Sequence, residues 1–158
     1  MKTVSLILKI ISGLILIFSW TFVSINFNKM PQLVPVHYDF DGMPDSLGSK
    51  NTNWFLLLIQ TALFFLLLYF SKNPDKPGLN IPKNLKENKV IAEFVVSGLL
   101  FLMMLIFGLI SYESTLNALG EINTLSSAHN YLLALLLFWL IGILIWSFFL
   151  SKRKKINP

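Results

Sequence analysis

The chain has 158 residues, 54% of them hydrophobic and only 13% charged, a balance that excludes an ordinary soluble domain of this length. It contains no cysteine, which excludes a disulfide framework, a thiolate metal site and a cysteine nucleophile. The net charge of +5 is divided among short segments beside apolar runs, so anionic lipid headgroups suit it as partners and nucleic acid does not.

Four runs, 4–25, 54–70, 90–110 and 131–150, are apolar enough to cross a bilayer. A helix of about 20 apolar residues spans the ~30 Å hydrocarbon core with every backbone polar group satisfied inside the segment. The expected fold is therefore an all-α membrane protein, a four-helix bundle with a short ordered loop between its first two helices. Its parts are a two-helix unit over 1–72 and a basic loop with two further helices over 73–158, integrated into one membrane domain. The first run follows Lys2 but exceeds the apolar core of about 7–15 residues of a cleaved signal, and no A-x-A-like site follows it, so it reads as an uncleaved anchor.

Basic residues are distributed unevenly. Lys2, Lys72, Lys76, Lys83, Lys86, Lys89, Lys152, Arg153, Lys154 and Lys155 lie on one side, against Lys29 and Lys50 on the other. Positive charge is retained in the cytoplasm during insertion, which predicts a multi-pass cell-membrane protein with both termini cytoplasmic. Trp20 and Trp54 then fall near the outer boundary and Tyr69 and Trp146 near the inner one, while Trp139 lies mid-helix.

Within the first run Lys9 lies five residues past position 4, and in the third Glu93 lies three past position 90. At about 1.5 Å per residue their depths nearly agree. An intramembrane ion pair between Lys9 and Glu93 is one expectation, because a charge in hydrocarbon usually has a partner. Snorkelling of each to the headgroups is the other. Ser12 and Ser19 share a face with Lys9, as Ser97, Gly108 and Ser111 do with Glu93, and such small residues permit close helix packing. Gln60 and Asn130 could extend a polar lining, but no mid-bilayer acidic relay of the kind used by proton-coupled transporters is present.

The first loop, 26–53, carries Pro31, Pro35, Gly42, Pro44 and Gly48, which build shape by fixing φ or permitting turns. Residues 36–40 alternate apolar with polar, which predicts a short extended segment and a turn at Asp41-Gly42. On an extended strand His37, Asp39 and Asp41 point to one side. With Asp45 and Lys50 they form the candidate binding set, and His37, Asp39 and Asp41 are the candidate metal ligands, suited to zinc or manganese. As a calcium loop the run fails at its first position, His37, and at its twelfth, Gly48. The same side chains also suit turn hydrogen bonds and caps, and a histidine titrating near pH ~6.5 could make a pH-sensitive contact. No cofactor is implied.

The second loop, 71–89, should be irregular, with residues 83–89 starting the third helix early. In the third loop, 111–130, residues 113–119 are expected to form an interfacial helix ended by Gly120.

The first loop also carries a resemblance. Met30-Pro31, Val34-Pro35-Val36-His37, Gly42-Met43-Pro44-Asp45 and Gly48-Ser49-Lys50, flanked by membrane helices, resemble the pattern Leu-Pro, Ile-Pro-x-His, Gly-x-x-Asp, Gly-Ser-Lys of a bacterial membrane domain, domain of unknown function 1648. That domain forms the N-terminal part of SdpI-type toxin-immunity proteins, so the resemblance implies a role in toxin resistance and signalling. Those proteins continue into a second domain with a Gly-x-Arg-Thr-Pro-Trp-like motif, and nothing similar follows Lys72.

The chain lacks Gly-x-Ser-x-Gly, His-Glu-x-x-His and phosphate-loop motifs, which disfavours an enzyme. The expected function is a membrane binding, sensing or immunity-like factor whose outer loop meets an extracellular peptide or another membrane protein. The alternative is a small transporter or membrane enzyme with a His/Asp site at the outer boundary.

Overall fold

The computed structural model describes residues 1–156, with side chains up to residue 152; Arg153, Lys154 and Lys155 of the basic tail lie outside the described side chains. The elements in chain order are α1 (Lys2–Asn26), β1 (Leu33–Tyr38), β2 (Pro44–Ser49), α2 (Thr52–Lys72), α3 (Lys83–Lys86), α4 (Lys89–Ala118) and α5 (Ala128–Ile156). Four of these helices are long and apolar enough to cross a membrane. The molecule is an all-α membrane bundle carrying one two-stranded antiparallel hairpin.

α4 is the central helix. It packs against α1, α2, α3, α5 and β1, and its face toward them is buried along its whole length, from Ala92 to Ala118. α5, in contrast, has none of its most apolar stretch buried, and it rests on α4 and α3 at the periphery. A cluster of Leu67, Phe70, Ile81, Leu85, Val96, Leu100 and Met104 closes the lysine-rich end of the bundle. Met30, Val34 and Ala118 form a smaller one beneath the hairpin.

Small and polar residues let α1 approach α4. Ser5, Ser12 and Ser19 are fully buried, and each hydroxyl donates to a carbonyl of the preceding turn, Met1, Leu8 and Ile15 respectively, so none is left as a bare donor in an apolar setting. Ser19 Oγ in turn accepts from Gln60 Nε2 at 3.2 Å, which ties α2 to α1. A methyl group added to Gly108 would lie 2.6 Å from Ile15 Cγ2, so hydrogen is the only substituent this crossing tolerates. At the hairpin end, Trp20 donates to Thr61 Oγ1 at 2.9 Å, and Trp20 and Phe27 both pack on Trp54.

Helix ends follow local chemistry. Asn88 caps α4 by accepting from the N–H groups of Val90 and Ile91. Residues 83–89 therefore do not simply begin the third helix early: α3 is a separate turn, and the extended backbone of Asn88 breaks it from α4. At the other end α4 runs on to Ala118, so the separate interfacial helix expected over 113–119 is instead its continuation. The polar residues Ser111, Glu113, Ser114, Thr115 and Asn117 are buried there. Protein groups satisfy several of them, with Thr115 Oγ1 donating to Ser111 and Asn117 Nδ2 to Ile122. Gly120, at φ +75°, ends the helix; its N–H bonds to Asn117 and that of Glu121 to Leu116, the paired closure a left-handed residue permits.

A cap at the hairpin end

The first loop folds into a hairpin because β1 supplies branched residues and an Asp-Gly turn reverses the chain. Leu33 pairs with Ser49, Val34 with Gly48, Pro35 with Leu47, His37 with Ser46 and Tyr38 with Pro44. Asp39 Oδ1 accepts from the N–H groups of Asp41 and Met43, at 3.0 and 2.8 Å, and Gly42 completes the turn at φ +80°. Val34 is buried against Met30 and Ala118, and Val36 packs beside it. Gly48 leaves room for Val36, whose methyls would lie 3.0 Å from an added Cβ.

The structure does not bring His37, Asp39 and Asp41 together, and among the described residues no three His, Asp or Glu side chains are placed to hold a metal ion. The strict alternation that would align them fails for two reasons. Irregularities in register on both sides of His37 re-aim its side chain, and β1 ends at Tyr38, so Asp39 and Asp41 belong to the turn. His37 Nδ1 lies instead 2.6 Å from Asp45 Oδ1, across the strands and exposed to solvent.

Lys50 is also apart from that set. Its Nζ donates to the carbonyls of Phe27 and Met30, both at 3.3 Å, and lies 4.8 Å from the Phe27 ring centroid. It closes the single tight turn, residues Phe27–Lys29, that follows α1, where a cation complements carbonyls at a helix C-terminus. Pro31 and Pro35 flank the entry to β1, and Pro44 opens β2.

Lys9 and Glu93 do meet: Nζ lies 2.5 Å from Oε1, between α1 and α4, with side chains 12% and 29% exposed.

A second polar group, not singled out in the sequence, ties the cap together. Glu113 of α4 accepts from the Ser126 N–H at 2.7 Å through Oε2 and from the Ser126 hydroxyl at 2.6 Å through Oε1. His129 Nδ1 donates to the Ser126 carbonyl at 3.0 Å and lies 3.6 Å from Glu113 Oε2. One acid near the end of an apolar run and a Ser-Ser pair before the next run are its sequence signal, and both are common enough to pass unnoticed.

The hairpin tip rests on this clamped loop. The Leu125 N–H donates to the Gly42 carbonyl at 2.9 Å, and Asn130 Nδ2 donates to that of Phe40 at 3.3 Å. A cavity of about 160 Å³ between tip and loop is lined in part by Asp39, Asp41, Ser126, Ser127 and His129. Beneath the hairpin, burial pushes the Tyr38 phenol above its ordinary value, partly offset by the nearby Ser114 hydroxyl, which lies outside regular hydrogen-bonding geometry. Tyr38 is therefore an uncharged packing group at neutral pH.

Gly42→Ala is expected to undock the tip, because the new Cβ would lie 2.5 Å from the Leu125 carbonyl oxygen in a backbone conformation that L-residues avoid. Hydrogen exchange at the Leu125 amide should accelerate by about tenfold or more, as the loss of a docked contact worth roughly 1–3 kcal/mol implies. Unchanged protection there would contradict the docking.

No curated protein and no solved structure matches the chain. A family model does match residues 14–61, which run from within α1 through the hairpin into α2. That stretch, with its turn glycine, paired strands and flanking membrane helices, matches the model of a domain of unknown function, DUF1648.

Proposed function

We propose that the chain is a cell-membrane binding or sensing protein whose hairpin faces outward, with both termini in the cytoplasm, and that the hairpin tip engages an extracellular peptide or a membrane partner. The observation that carries this reading is Phe40: it is 82% exposed at the apex of a turn that is otherwise pinned on both sides. An ordered backbone presenting a bare aromatic ring has the character of an interaction surface, since large aromatic anchors dominate contact energies. Leu33 and Leu47 on the strands, and Met43 beside the turn, are exposed too. The uneven distribution of lysines supports the orientation. An immunity-like role draws on the resemblance of the hairpin segment alone.

Deleting the gene and challenging cells with a broad panel of membrane-active peptides tests the proposal. Sensitivity to at least one peptide should rise, be restored by the wild-type chain and not be restored by Phe40→Ser. Unaltered sensitivity across the panel, or full rescue by the variant, counts against it.

A further inference from the structure

We infer that the lysine-rich end of the α4/α5 seam is a binding site for one anionic phospholipid, with an acyl chain between the helices and the phosphate at α3. α5 touches the bundle at separate points. Trp139 sits against Gly98 mid-helix. At the lysine-rich end Asn84 of α3 donates to the Ser147 carbonyl at 2.6 Å and to Ser151 Oγ at 3.1 Å, and accepts from the Ser147 hydroxyl at 2.8 Å. Between these fixed points Ile143 packs toward the core, but the helices leave a gap beside it. A cavity of about 180 Å³ remains, walled by Val95, Leu99, Leu140, Ile143 and Leu144 and roofed by the segment that includes Ile81.

The chemistry of the occupant follows from the walls and the rim. The slot is almost wholly apolar and slightly larger than the cavity of about 150 Å³ that accepts a benzene-sized guest. It is not sealed, because Leu140 and Leu144 are 41% and 63% exposed on its edge. In a membrane-crossing helix pair that edge faces hydrocarbon, so a lipid tail is the guest at hand. Directly after the roof come Lys83 and Lys86, three apart on the single turn of α3 and hence on one side of it. Neither is in an ion pair among the described residues. Lys89 follows, with Asp75 at 3.8 Å. An apolar slot whose roof runs directly into two lysines without ion-pair partners among the described residues complements a molecule with a hydrocarbon tail and a negative head, and basic pockets between membrane helices bind such headgroups. A zwitterionic lipid would fill the slot equally but gain less from the lysines.

The full-length chain, purified with an equimolar mixture of phosphatidylglycerol and phosphatidylcholine, would be analysed by native mass spectrometry. One phosphatidylglycerol should be retained per chain, with a preference over phosphatidylcholine on the order of tenfold. Lys83→Gln with Lys86→Gln, the first exposed and the second half-buried, should abolish the preference; Leu99→Trp, which fills the slot, should abolish retention of either lipid while helicity is preserved. A Val95→Phe variant serves the same purpose if Leu99→Trp loses its helicity. Equal retention of the two lipids, a preference that survives the lysine substitutions, or retention that survives a filled slot would overturn the site.

Discussion

Replacing Gly98 with valine is expected to destabilise the chain by about 3 kcal/mol and to lift the middle of α5 away from α4. Even a methyl group at this position would lie 2.2 Å from Trp139 Cζ2 and 2.7 Å from Cε2, well inside any real carbon–carbon contact. Moving the indole would cost it its own contacts. Its N–H points at the Val95 carbonyl, 3.4 Å away, and the ring meets Phe94 edge-on with centroids 5.5 Å apart. Either the rotamer changes and this packing is lost, or the helices separate. Because so little of α5 is buried elsewhere, the lost contact is a large share of what holds it. Thermal unfolding in detergent should show a clear drop in midpoint. Shrinking the partner should repair most of the damage, so Gly98→Ala combined with Trp139→Leu should be more stable than Gly98→Ala alone. A Gly98→Val protein with wild-type stability would mean that Trp139 does not occupy this notch.

The second large effect is expected at Lys9 and Glu93, where the sign depends on how many charges are removed. Glu93→Leu alone leaves the Lys9 ammonium without its partner at a site where it is only 12% exposed, and Lys9→Met alone strands the carboxylate. Breaking a fully buried pair from one side costs on the order of 3–5 kcal/mol, and this partly buried pair should approach the lower end of that range, because the remaining charge loses its counter-charge where little water reaches it. Both helices are membrane-crossing by length and composition, so lipid offers no substitute. Removing both charges together should cost far less, since desolvation of the two ions offsets most of their attraction. A double-mutant cycle on unfolding midpoints therefore should give a strongly favourable coupling energy, and an exchange of the two residues should recover part of it. Additive single effects would show that each side chain is solvated independently by headgroups.

The helices were legible in the sequence because hydropathy alone selects them, whereas their ends were legible only where a cap is local. The third apolar run is broken in sequence at Ser111 and Glu113, yet the helix continues to Ala118. What keeps it helical is tertiary: the Glu113 carboxylate accepts hydrogen bonds from the N–H and hydroxyl of Ser126, thirteen residues on. The second strand was illegible for a related reason. Residues 44–49 are rich in Pro, Gly, Ser and Asp, which strands avoid, and they become one by pairing with β1. Parity along an extended segment grouped His37 with Asp39 and Asp41, but register irregularities, invisible in sequence, give His37 to Asp45. The equal depths of Lys9 and Glu93 could be counted from the sequence. Their contact required knowing that α1 packs on α4.

One short crosspiece, residues 125 and 126, carries two loads. Leu125 holds the turn of the hairpin through its N–H, and Ser126 is gripped by Glu113 immediately before the first turn of the last membrane helix. A pull on the hairpin at Gly42 therefore bears on the root of α5, and the bundle transmits force from its exposed tip to a transmembrane rod along a path of two neighbouring residues.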